Sequence, residues 1–144
     1  MTTSVKISGL PGVAVEVPAV VADLAAGRAV RPVWRNELGG LTFELIPDSP
    51  GERRLFVKWA PPGSALDLMG EAGRLEWAGR FTRVPQPIDA GQDASGSWLV
   101  TRALAGESAV SPRWMNSPAL AVRAIGLGLR ALHDSLPPQK CPYT

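Results

Sequence analysis

Lys58 is the residue that most constrains this 144-residue chain, because it stands inside the apolar run Leu55-Phe56-Val57-Lys58-Trp59. An ammonium group in such a strand costs free energy unless a counter-charge or water reaches it. Glu71 opens a second run, Glu71-Ala72-Gly73-Arg74-Leu75-Glu76-Trp77, that reads as helix. A fold that satisfies both runs lays that helix beside the strand, with Lys58 facing Glu71.

Helical phase selects the partner. Residues three and four apart share a face, which groups Glu71 with Leu68, Ala72, Leu75 and Ala78 on an apolar, inward stripe. Glu76 points roughly 140° away from Glu71, toward solvent. Asp67 is a rival, but helix capping accounts for it. Taken alone, the pair reads as well as a structural ion pair or two snorkelling surface charges as it does as a ligand-holding pair.

The surrounding chain predicts an α+β domain of antiparallel hairpins with a packed helix. Val13–Val17 alternates as a first strand, and Pro18–Ala26 reads as a short helix with Pro near its start. Ala29–Arg35 is a strand confined by Pro32 to an edge. Asn36-Glu37-Leu38-Gly39-Gly40 is a turn, and Leu41–Ile46 and Arg53–Ala60 are strands joined through Pro47–Gly51. Ser64-Ala65-Leu66-Asp67 has capping-box spacing, with Ser64 as N-cap of a helix that runs to about Phe81. Ile88–Gln92 and Ser97–Arg102 form a second hairpin around Asp93-Ala94-Ser95-Gly96. After a linker, Ser117-Pro118 opens a last helix that ends near Ser135, before Pro137-Pro138.

Composition narrows the chemistry. A net charge of +2, with Lys and Arg scattered, gives no basic stripe for nucleic acid. One cysteine, Cys141, excludes an internal disulfide, and with one histidine, His133, it excludes a Cys- or His-based metal cluster. His133 ends a helix, where it favours the dipole. No window has the ~18 uninterrupted apolar residues of a membrane span. The N-terminal residues lack a signal-peptide core, so a cytoplasmic setting is expected. The Gly39-Gly40 turn precedes the lysine strand and is suited either to an ordinary hairpin or to laying backbone N–H groups over phosphates. No Gly-Lys-Ser/Thr follows, so it is not a Walker loop. Trp98-Leu99-Val100-Thr101-Arg102-Ala103-Leu104-Ala105-Gly106 is an apolar strand running into the linker.

In order and spacing these segments resemble the aminoglycoside phosphotransferase family of the 3′ (kanamycin kinase) type, from near Val33 to the end. Phe56-Val57-Lys58 resembles its lysine strand, and Glu71–Trp77 with Val84-Pro85 its glutamate helix and exit. Trp98-Leu99-Val100 with Gly106 is similar to the strand entering its hinge. Leu132-His133 and Cys141-Pro142-Tyr143 are similar to the first helix of its C-terminal lobe and the segment after it. The resemblance implies a protein-kinase-like N-terminal lobe over residues 1–101, a hinge over 102–116 and the start of a C-terminal lobe over 117–144. It implies that Lys58 holds the α- and β-phosphates of ATP, that Glu71 orients Lys58, and that Gly39-Gly40 covers the phosphates. Backbone groups near Arg102 and Leu104 would meet adenine. Leu38 stands where that family often has a phosphate-contacting serine, and Arg102 adds a charge to the hinge. The family's His-Gly-Asp loop, its Mg²⁺ ligands and its acidic aminoglycoside pocket are not found in these residues, so this chain alone is expected to be inactive and its Mg²⁺ ligands to lie elsewhere. A related macrolide or metabolite kinase and a non-catalytic half-kinase module are the alternatives. The exposed apolar residues of the last helix predict self-association.

Overall fold

The structure is a computed structural model and describes residues 9–11 and 14–143. Helix α1 (Ala19–Ala25) is followed by strands β1 (Val30–Arg35), β2 (Leu41–Leu45) and β3 (Leu55–Ala60). Helix α2 (Leu68–Ala78) leads into β4 (Gln86–Asp93) and β5 (Gly96–Arg102), and helices α3 (Pro112–Met115) and α4 (Pro118–Ser135) close the order. The strands form one antiparallel sheet in the order β1-β2-β3-β5-β4. This is the α+β architecture of a kinase-like N-terminal lobe, with Lys58 on the middle strand.

Residues directly opposite in an antiparallel pair share a face, so the register defines two faces. The rows Phe43–Val57–Val100 and Leu41–Trp59–Trp98 lie on one. There α1 inserts Val21 and Ala25 into a core with Leu45. The rows Thr42–Lys58–Leu99 and Glu44–Phe56–Thr101 lie on the other. There Leu68 and Ala72 of α2 bury against Ala60 and Leu99. The inward stripe read from helical phase is therefore the one that packs.

Both prolines in strands sit on the edges. The register is irregular between Pro32 and Trp34 in β1 and between Pro87 and Asp89 in β4, as expected where a ladder donor is missing. Other boundaries differ from expectation. Val13 lies outside the described residues, and residues 14–18 form no strand; Val15 and Val17 pack on the core instead. Ser64 is not the N-cap of α2. Its hydroxyl accepts from Leu66 N at 3.3 Å in the preceding turn, while Asp67 Oδ1 accepts from Gly70 N at 2.8 Å. Asp67 thus caps the helix from within the stretch read as its first turn. The helix stops at Ala78, and residues 79–82 continue as looser turns. The expected linker contains α3, and a 3₁₀ turn follows at Pro138–Lys140.

Candidate functional site

Lys58 sits at the border of the surface that α2 covers. Its cross-strand neighbours are Thr42 and Leu99, and its ammonium Nζ donates to Glu71 Oε1. The side chains are 45% and 31% exposed, so the pair is bonded yet open to a ligand. An ion pair with this much solvent contributes little to stability, on the order of 0–1 kcal/mol. Its placement on the middle strand is the feature that needs another explanation.

The Gly39-Gly40 turn lies at the Lys58 end of the β1–β2 hairpin, since Leu41 pairs with Trp59 and Thr42 with Lys58. Gly39 has φ +84°, and a Cβ on Gly40 would collide with Leu66. The backbone therefore favours glycine at position 39, and at position 40 a side chain would have to shift the ends of Leu66 and Asn36. Its amides are occupied: Asn36 Oδ1 accepts from Leu38 N at 3.0 Å and Gly40 N at 2.8 Å, and Gly39 N donates to Asn36 O at 3.2 Å. A phosphate reaching the Leu38 and Gly40 N–H groups has to displace the Asn36 carboxamide, and one reaching Gly39 N the Asn36 backbone carbonyl.

One step along the Lys58 face, Phe56 enters an open groove of about 580 Å³ whose lining includes Trp34, Glu44 and residues 106–108 of the linker. Glu44 is 4% exposed, and sequence reasoning missed it. Arg31 donates to its Oε2 from both Nε (3.0 Å) and Nη2, and Arg54 Nε lies 3.3 Å from Oε1. Arg54 also stands over the Phe56 ring at 5.7 Å. The wall of this groove is thus a ring beside a satisfied buried carboxylate with two guanidinium groups.

Arg102 and Leu104 lie elsewhere. Arg102 pairs with Leu55, on the face opposite Lys58, and its Nη1 donates to Gln86 Oε1 at 2.7 Å. Both residues line a separate groove of about 660 Å³, together with Arg53, Arg80 and Arg83. In the linker backbone, Ala103 N is bonded to Arg54 O at 2.9 Å. The structure therefore brings Lys58, Glu71 and the glycine turn to one end of the sheet and sets Arg102 and Leu104 apart.

Among the described residues, no group of three His, Cys, Asp or Glu side chains gathers as a metal site. These residues do not by themselves fit a Mg²⁺ site. Nor is any helix among them long and apolar enough to cross a membrane.

Residues 30–144 match the sequence profile of the phosphotransferase enzyme family (APH). The chain belongs to that family. It is 38% identical over 115 residues to an aminoglycoside 3′-phosphotransferase of Streptomyces fradiae, covering 76% of this chain and 42% of the relative. It is 36% identical over 113 residues to an aminoglycoside 3′-phosphotransferase of Streptomyces ribosidificus, covering 77% and 42%. The chain thus spans about two-fifths of the length of these relatives. The family match begins at residue 30, at the start of β1, and leaves out α1.

Proposed function

We propose that this chain is the nucleotide-holding part of an aminoglycoside 3′-phosphotransferase-like kinase, which passes the γ-phosphate of ATP to an aminoglycoside hydroxyl. The observation that carries this is the Lys58–Glu71 pair between the middle strand and α2, in a member of a phosphotransferase family. A surface ion pair has little stabilising value, so a lysine held on the middle strand of the sheet is better accounted for by a ligand that needs the charge. The names of the two Streptomyces relatives support the choice of acceptor.

In this proposal Lys58 offers its ammonium to the α- and β-phosphates. Glu71 keeps that ammonium aimed along the sheet by holding one of its protons. The Gly39-Gly40 turn closes over the phosphates once Asn36 gives up its amides. The base enters the groove beside Phe56, and the linker that follows Arg102 and Leu104 contributes through its backbone at residues 106–108, which line that groove. Residues 1–101 act as the nucleotide lobe, 102–116 as the hinge and 117–144 as the start of the acceptor lobe. Mg²⁺ would neutralise phosphate charge when bound, held by ligands outside this chain. In this reading the general base, like the metal ligands, is supplied from outside this chain, and the chain alone is expected to bind nucleotide without turning it over. A cytoplasmic setting, where ATP is available, accompanies this proposal.

The test is equilibrium binding of a fluorescent ATP analogue to the wild-type protein and to Lys58→Ala. A hydrogen bond to a charged group contributes about 1.5–3 kcal/mol, so Lys58→Ala should weaken binding roughly 10- to 100-fold. Unchanged affinity would remove Lys58 from the site. ATP-dependent phosphorylation of kanamycin or neomycin by a longer polypeptide of the same reading frame tests the acceptor. Transfer only to macrolides or metabolites would keep the kinase and discard the aminoglycoside.

A further inference from the structure

Glu71 has a second cation within reach along its own helix. Arg74 lies three residues further on, the spacing at which opposite charges pair on a helix surface. Yet Glu71 pairs with Lys58, and Arg74 is drawn to other partners. Its guanidinium carbon stands 6.0 Å from the centroid of the Tyr143 ring, and its Nη1 lies 3.8 Å from Asp67 Oδ2. Tyr143 comes from the segment after α4 and lands on α2 at Gly73, where a Cβ would lie 2.6 Å from the tyrosine hydroxyl. A Cβ at this position would displace the hydroxyl, while the nearest ring atoms would stay at van der Waals distance, 3.5 and 3.8 Å. Cys141 Sγ donates to Tyr143 O at 3.3 Å, which folds the segment back on itself there.

We propose that Tyr143 is a positioning residue for the Lys58–Glu71 pair: its ring, with Asp67, holds Arg74 off Glu71 and so leaves that carboxylate to Lys58. The ring acts through the attraction of its face for a guanidinium group. Without it, Arg74 competes with Lys58 for one carboxylate, and the Lys58 ammonium is released for part of the time. The segment after the last helix thereby sets the state of a lysine on the middle strand, although the two do not touch. The consequence for nucleotide binding rests on the function proposed above; the competition for Glu71 does not.

The chain contains three lysines, Lys6, Lys58 and Lys140, so each amine can be followed separately by mass spectrometry. The experiment is the rate of Lys58 acylation by a small amine-reactive ester, without nucleotide, with Lys6 as internal reference. A cation–π contact at an exposed site is weak, so Tyr143→Ala should raise Lys58 reactivity about two- to fivefold. Tyr143→Leu, which keeps an apolar side chain but no ring face, should raise it as much. Tyr143→Phe should behave as wild type, and adding Arg74→Gln to Tyr143→Ala should return the rate to the wild-type value. A simple loosening of α2 would raise the rate in the double variant too, and that result overturns the proposal, as does an unchanged rate in Tyr143→Ala and Tyr143→Leu. Repeating the wild-type measurement with ATP separates the two readings. If ATP gives Lys58 no protection, the nucleotide assignment fails while the variant comparison still decides the role of Tyr143.

Discussion

At the scale of single residues, two side-chain caps show what local chemistry does for the turns. Asn36 satisfies two amides of the glycine turn from one oxygen. Asn36→Ala should destabilise the protein by about 1–2 kcal/mol, since each lost bond contributes roughly 0.5–1.5 kcal/mol; urea unfolding checks it. Asp93 does similar work between β4 and β5, where its Oδ1 accepts from the Ser95 hydroxyl at 2.6 Å and from Ser95 N at 2.7 Å. The Ser95 hydroxyl, then the Ser95 backbone amide, hold its carboxyl below the usual carboxylate value of 3.8. A carboxylate with a depressed folded pKa contributes stability above its unfolded pKa and loses it as pH falls through the folded one. The difference in melting temperature between wild type and Asp93→Asn should therefore be fully present at pH 7 and shrink below about pH 3.8. A difference that stays constant down to strongly acidic pH would remove the carboxylate from this role. Both turns are legible in the sequence as Asn/Asp-to-Gly stretches, because their chemistry lies within five residues. What Asn36 does to the amides is not legible, since a turn motif does not say which groups its side chain occupies.

At the scale of elements, Glu44 shows where sequence reading stops. Lys58 stands out in the sequence because one charge breaks an apolar run. Glu44 breaks Leu41–Leu45 in the same way, but its partners are set by register: β1 brings Arg31 opposite it, and Arg54 arrives just ahead of β3. Neither follows from periodicity. The same limit explains α2, where Ser64 and Asp67 both suit a cap and only tertiary placement on Ala60 and Leu99 fixes where the helix begins. The Arg31–Glu44–Arg54 cluster also allows a non-additive prediction. Either arginine alone leaves Glu44 with one cation, so Arg31→Met or Arg54→Met should cost about 1 kcal/mol or less, as for partly exposed pairs. Removing both leaves a buried carboxylate unpaired, a situation that costs about 3–5 kcal/mol. The double variant should lose distinctly more than the two single losses added, in denaturant unfolding. Strict additivity would mean that water reaches Glu44 and that the cluster is a surface feature.

At the scale of the whole molecule, the apolar surface is unevenly distributed. The sheet hides its hydrophobic rows under α1 on one face and under α2 on the other. Helix α4 hides none: Pro118–Ser135 contains no buried residue, and Val122 and Leu127 are 70% and 62% exposed. Leu120, Ile125 and Leu129 add to the same helix, and its charges are confined to Arg123, Arg130 and Asp134. Arg130 and Asp134 bond to each other along one side, at 2.9 Å. That leaves the remaining circumference apolar with little charge to oppose contact. A contiguous apolar patch beyond a few hundred Å² ordinarily marks an association surface. The simplest partner for such a helix in a solution of this chain alone is the α4 of a second copy, since two like helices can pack ridges into grooves with apolar residues on both sides. We therefore expect light scattering to show a mass that rises with concentration in the micromolar range. Ile125→Glu, on the apolar side, should abolish that rise while leaving the melting temperature within about 1 °C, because an exposed residue away from the core changes folding stability little. Arg123→Glu, on the charged side, should leave it intact. A mass that stays monomeric at high concentration would show that α4 does not pair with itself, and equal effects of the two variants would show that net charge rather than the apolar face controls association.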